Sequence, residues 1–103
     1  MAHFNGDNYL PKDKFSGVSW GEDVVQFAKL HSLSRRQAEM LFLCYDEDLD
    51  MDKVSERAGI SLNTVANHMA IVRIKIDTKS NARAVNKLAK FMLNYQGTGG
   101  ATQ

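Results

Sequence analysis

At 103 residues, 44% hydrophobic and 24% charged, with one Pro and one Cys, the chain has the make-up of one globular domain. Such a chain buries roughly 60–65% of its unfolded surface. No apolar run approaches the ~20 residues that span a bilayer, and no charged start leading into an apolar stretch marks a secretory signal. We therefore expect no membrane partner and a cytoplasmic location, with Cys44 a reduced, buried thiol.

Net charge is only +1, but it is unevenly spread. Residues 1–30 sum to −1 and residues 31–60 to −3, whereas residues 61–103 set Arg73, Lys75, Lys79, Arg83, Lys87 and Lys90 against Asp77 alone, a balance of +5. That split fits an anion-binding surface on the C-terminal half. A basic helix face that is merely solvated is the plainer alternative.

Residues 1–20 mix Gly, Asn, Asp and Lys with isolated aromatics (Phe4, Tyr9, Phe15, Trp20) around Pro11. No period survives there, which predicts an arm whose aromatics dock on a surface. "GEDVVQFAKLH" (21–31) has acids at its front and Val24, Phe27, Ala28 and His31 at helical spacing, so a short helix is expected. Ser34 caps a stronger helix with Ala38, Leu41, Phe42 and Tyr45 on one face, widened by Met40, Leu43 and Cys44. "DEDLD" breaks that pattern before a short helix over 51–58. It fails as a calcium loop, because Met51 falls where Gly is needed and Arg57 where Glu is needed.

"GISLNTVANHM" (59–69) then reads as a tight turn running into a third helix over 62–76. Gly59 suits a positive φ, and Ser61 suits an N-cap. Val65, Met69, Val72 and Ile76, at i, i+4, i+7 and i+11, form the buried stripe. Asn63, Ala66, Asn67 and Ala70 point the opposite way, with Arg73 on one edge and Lys75 on the other. Short polar side chains are poor helix formers, so their placement calls for another reason. A polar break, "DTKSN", leads to a helix over 81–95, and "GTGGATQ" predicts a disordered tail over 96–103.

Helix, short helix, Gly-containing turn and longer helix make a helix-turn-helix, whose second member enters the DNA major groove. Asn63 and Asn67 are the expected base readers, since Asn pairs with adenine N6 and N7, while Ala66 and Ala70 permit close approach. Thr64, His68, Arg73 and Lys75 are the expected backbone contacts. The bland alternative makes Asn63 and Asn67 solvated surface residues and His68 a half-buried structural one. No nucleophile elbow, phosphate loop or paired-carboxylate motif is present, so we expect no enzyme and no cofactor. With one Cys and no paired His spacing, no metal is expected either.

Four segments together resemble the LuxR-type (GerE-like) helix-turn-helix family over residues 33 to about 93. "LSRRQAEML" (33–41) resembles the family's L-[ST]-x-R-E-x-E-V-L opening, and "ISLNTVANH" (60–68) resembles I-S-x-x-T-V-K-x-H. Val72, Lys75 and Ile76 fall where I-x-x-K-L is expected, and "SNARAV" (80–85) resembles S-R-x-x-A-V. Ala66 replaces the family's lysine and Asn81 its arginine, which implies weaker phosphate anchoring by one copy. The loop at 46–50 is one residue longer than the family's and lacks its glycine. The stretch "EMLFLCYDEDLDMDKV" is similar to region 4 of sigma factors, which bind promoter DNA and RNA polymerase.

The resemblance implies an all-α, four-helix LuxR-type domain over 31–95, preceded by an arm and short extra helix over 1–30. Members usually append this domain to a receiver or sensor, for which thirty residues are too few, so the expectation is a stand-alone module or one whose arm and extra helix replace the sensor. The expected function is a sequence-specific transcriptional regulator binding double-stranded DNA. The alternative is a module that binds RNA polymerase or another regulator. A homodimer is also expected, because the apolar positions of the last helix sweep from about −80° to +80° at 100° per residue. Val85, Ala89 and Met92 are assigned to the core, Ala84, Phe91 and Tyr95 to the partner, and Leu88 to both. LuxR-type domains commonly dimerise through this helix. A competing arrangement has the arm or the 21–31 helix covering Phe91 and Tyr95.

Overall fold

A computed structural model describes residues 20–101, with side chains through residue 95, and shows five helices in sequence. They are α1 (Glu22–Leu30), α2 (Arg35–Asp46), α3 (Met51–Ala58), α4 (Leu62–Lys75) and α5 (Asn81–Ala101). No strand occurs among the described residues. The arm through Phe15 lies outside them, but Trp20 is buried and packs its ring 6.1 Å from that of Phe42.

The helices start where their caps dictate. Ser34 Oγ accepts the Gln37 amide N–H at 3.1 Å while the Ser34 N–H donates to Gln37 Oε1 at 2.9 Å, a full capping box. Asp50 accepts from the Lys53 amide at the start of α3, and Ser61 from the Thr64 amide at the start of α4. Gly59 ends α3 in the left-handed region, φ 71°, with its N–H donating to Ser55 and Glu56 carbonyls. Four other residues hold positive φ without being glycine: Ser32, Asp48, Leu49 and Asp77. Asp48 and Leu49 turn the chain between α2 and α3, where the Leu49 N–H donates to the Cys44 carbonyl at 2.8 Å.

One core joins all five helices. Val24, Phe27 and Ala28 of α1 enter it beside Met40, Leu41, Leu43 and Cys44 of α2. Val54 and Ala58 come from α3, and Val65, Met69 and Val72 from α4, with Ile76 just beyond its end. α2 packs against each of the other four helices, and α1 lies on α5. Burial pushes the Cys44 thiol up to about 11.

Two expectations about the last helix are corrected. Ala84, assigned to a partner, and Leu88, assigned to both, have no exposed surface and belong to the core. Phe91 is half-buried, with its ring 5.3 Å from Phe27 in an edge-on contact, so α1 covers it; Tyr95 stacks on Phe91 but stays 40% exposed. The physical reason is that α1 offers a second apolar surface to α5, which turns its buried side toward Ala84, Leu88 and Phe91. Val85 and Met92, assigned inward, do pack against the core while partly buried, and Ala89 is partly buried too.

The second correction is length. α5 continues as helix through Ala101, where residue 95 and then a structureless tail were expected. A helix once nucleated adds one hydrogen bond per residue ordered, so extension costs less than starting anew. Residues 102–103 lie outside the described residues.

Leu88→Ala should destabilise the domain by ~2–5 kcal/mol through the cavity it leaves, whereas Leu93→Ala, on an exposed side chain, should shift stability by no more than about 0.5 kcal/mol. Urea unfolding of the two variants checks this; equal effects would contradict the assigned faces of α5. At Gly59 an added Cβ meets nothing within 4 Å. Gly59→Ala should therefore cost only the left-handed backbone penalty, ~1–2 kcal/mol, and Gly59→Asn less, readable in the same unfolding assay.

Candidate nucleic-acid interface

The turn between α3 and α4 is fixed from both sides. Ser55 Oγ donates to the Ile60 carbonyl at 2.5 Å, closing the turn on itself. From α2, the Arg36 guanidinium donates to the Ala58 carbonyl at 3.1 Å and pairs with Glu39 at 2.6 Å. Glu39 is buried, and its second carboxylate oxygen has no hydrogen-bond partner. These contacts hold α3 and the start of α4 in one orientation relative to α2.

Val65, Met69 and Val72 are fully buried and Ile76 is 1% exposed, so the side of α4 they define is closed. On the open side, Asn63, Ala66 and Asn67 are exposed and Ala70 is partly so. The structure thus brings these four expected residues together on one face. Thr64, partly buried, has its hydroxyl 2.9 Å from the Ser61 hydroxyl and lies at the helix start, where free N–H groups and the dipole favour an anion.

Arg73 and Lys75 flank this face and are oriented by neutral partners. Arg73 donates to Asn81 Oδ1 at 2.5 Å, so the residue standing in place of the family's arginine positions another one. Lys75 Nζ donates to the Ser32 carbonyl at 2.8 Å and to Gln37 Oε1 at 2.9 Å, tying the end of α4 to the α1–α2 turn. Neither contact cancels a charge, although Lys75 would have to give up hydrogen bonds to reach elsewhere.

His68 lies apart from the exposed stripe, partly buried near Arg36 and Glu39. Desolvation lowers its pKa, the Arg36 charge lowers it further, and Glu39 opposes both. A neutral imidazole is a poorer phosphate contact than the sequence suggested, though its N–H can still donate.

Sequence reasoning passed over Ile74. It is 79% exposed and falls on the same stripe as Asn63, Asn67 and Ala70, one turn further on. Ile71 and Leu62 are also exposed nearby. The i, i+4, i+7, i+11 spacing from Asn63 to Ile74 was available as a signal, since it mirrors the buried stripe. An apolar group there can meet a thymine methyl. Among the described residues no group of three or more His, Cys, Asp or Glu is placed to hold a metal, and no helix is long and apolar enough to cross a membrane.

A capped three-residue turn, a supporting short helix and a second helix with one closed and one open face define a helix-turn-helix domain. The sequence profile of the LuxR family of bacterial regulatory proteins matches residues 31–88, more than half of the chain. The chain belongs to that family, and its domain is of the DNA-binding regulatory kind. Neither a curated protein nor a solved structure matches it significantly.

The lowered His68 pKa gives a pH prediction. Below the ordinary value of 6.5 the unfolded chain takes up a proton that the folded site resists, so this contribution is present above 6.5 and lost as pH falls toward the lower folded value. His68→Gln should therefore flatten part of the stability loss as pH falls below 6.5. Urea unfolding at several pH values reads it; an unchanged slope would mean that His68 titrates normally. His31, also lowered by burial and by the Lys87 charge, contributes with the same sign.

Proposed function

We propose that this protein is a sequence-specific transcriptional regulator that seats α4 in the major groove of double-stranded DNA. The observation that carries the reading is the stripe of Asn63, Asn67 and Ile74, exposed, with Ala70 partly so, opposite four buried residues. Asn63 and Asn67 supply paired donors and acceptors for adenine edges. Ala66 and Ala70 keep the helix thin, and Ile74 contacts a thymine methyl. Thr64, Arg73 and Lys75 hold the backbone, with His68 donating a neutral N–H. Such a role belongs to the cytoplasm, where a bacterium keeps its DNA, and asks for no catalysis or cofactor.

Two copies on adjacent half-sites would offset the modest phosphate anchoring of one. The surface left for pairing on α5 is its exposed end, with Leu93 and Tyr95, since Ala84 and Leu88 are occupied internally. A second reading, docking on RNA polymerase or another regulator, is favoured by one feature. Leu62, Ile71 and Ile74 together give α4 an exposed apolar component.

Selection of bound sequences from random DNA fragments, followed by titration at several salt concentrations, tests the reading. Asn67→Ala should cost ~1–3 kcal/mol on the selected site and relax preference at one or two positions. Arg73→Ala should weaken selected and random DNA alike and reduce the salt dependence by about one contact. No DNA affinity even at low salt, with retained binding to RNA polymerase, would favour the second reading.

A further inference from the structure

The strongest concentration of positive charge does not lie on α4. Just past its end, Asp77, Thr78 and Lys79 of the connecting turn and Arg83, Asn86, Lys87 and Lys90 of α5 line an open pocket of about 620 Å³. Four cations from two segments thus meet one acid. Arg83, Lys87 and Lys90 occupy positions i, i+4 and i+7, where like charges are neighbours and repel. Asp77 forms no ion pair with any of them, and Lys87 Nζ donates instead to the Ile76 carbonyl at 2.9 Å, bracing α5 against the end of α4. Elsewhere Arg36 is paired with Glu39, and Arg57 with both Asp46 and Glu47, while Arg73 and Lys75 have neutral partners.

Two further features favour an anion here. The pocket adjoins the start of α5, whose first-turn Arg83 N–H donates to the Ser80 hydroxyl at 3.1 Å, and the dipole of this helix is positive at that end. Thr78, in the pocket wall, has a buried hydroxyl oxygen without a hydrogen-bond partner. A buried hydroxyl left unmatched is costly, and an oxygen of a bound phosphate is a partner it could take if its side chain turned to the pocket.

We propose that the pocket between the α4–α5 turn and the outer face of α5 is a phosphate-binding site, with Lys79, Arg83 and Lys90 as its charged ligands and Lys87 as its brace. The phosphate comes either from the backbone of DNA lying past the end of α4 or from a free oligophosphate. The first source rests on the DNA-binding reading, and the second does not.

The test uses the full chain and two arms. In the first, sodium pyrophosphate is titrated at constant ionic strength, without DNA, while backbone amide NMR shifts are followed. Saturable shifts centred on residues 78–83 are expected, and Arg83→Ser with Lys90→Ser should abolish them. The single variant Lys79→Ser, in the exposed turn, should weaken them, so the result does not hang on one double variant remaining folded. In the second arm, DNA affinity is measured against salt for the same variants. If the source is DNA, the log–log slope should fall by roughly one for each cation removed, equally on selected and random sequences. Saturable pyrophosphate shifts with an unchanged DNA slope assign the site to a free oligophosphate. A reduced slope without saturable shifts assigns it to DNA alone. Diffuse, non-saturating shifts together with an unchanged slope would overturn the site. Should the chain bind no DNA, the pyrophosphate arm alone decides.

Discussion

Everything that α4 can present depends on one narrow seam. Val65, Met69, Val72 and Ile76 are closed off almost completely, and burying each such side chain is worth roughly 1.5–3 kcal/mol. Turning the helix by a single residue would bring Ala66, Ala70 and Arg73, or Thr64, His68 and Lys75, into the seam and lift the apolar groups into water. Their polar and charged groups would then lose water without gaining partners, which is costly in an apolar interior. Four side chains therefore fix the rotation of α4, and the turn held by Gly59, Ser55 and Arg36 fixes where it begins.

The same economy of contacts explains the charge pattern. Carboxylates of the second quarter are spent on cations nearby: Glu39 on Arg36, and Asp46 and Glu47 on Arg57, whose guanidinium is thereby held more firmly protonated. Beyond Ser61 the cations find neutral partners instead. Asn81, Gln37 and the carbonyls of Ser32 and Ile76 aim Arg73, Lys75 and Lys87 without offsetting their charge. A nearly neutral chain thus keeps an electropositive C-terminal half, because the cations there meet Asp77 alone while three acids of the second quarter pair with cations of the scaffold.

Much of this was legible in the sequence because it is local. Ser34, Asp50 and Ser61 begin helices by bonding three residues ahead, and a stripe such as Val65 to Ile76 repeats within one element. What could not be read depends on distant parts. α5 carries apolar side chains over a wide arc, and only the presence of Phe27 on α1 decides that Phe91 is covered and Leu88 enclosed. Lys75 finds its partners 38 and 43 residues away, a distance no periodicity spans. The left-handed backbone at Ser32, Asp48, Leu49 and Asp77 lacks the glycine that would have announced it. At Leu49 the strain is held by the Cys44 carbonyl and by packing on the core. Ile74 was visible but went unused, since an isoleucine at the end of an apolar helix suggests burial before exposure.

The enclosure of Cys44 has a practical side. It is the chain's one cysteine, it has no exposed surface, and its thiol is held far from ionisation. Alkylating reagents need an accessible thiolate, so the native fold shields this sulfur from maleimides and oxidants at neutral pH. A cysteine introduced on the open side of α4 would be the single reactive thiol of the folded molecule. A fluorophore or spin label could be attached there in one step, with the interior left as it is.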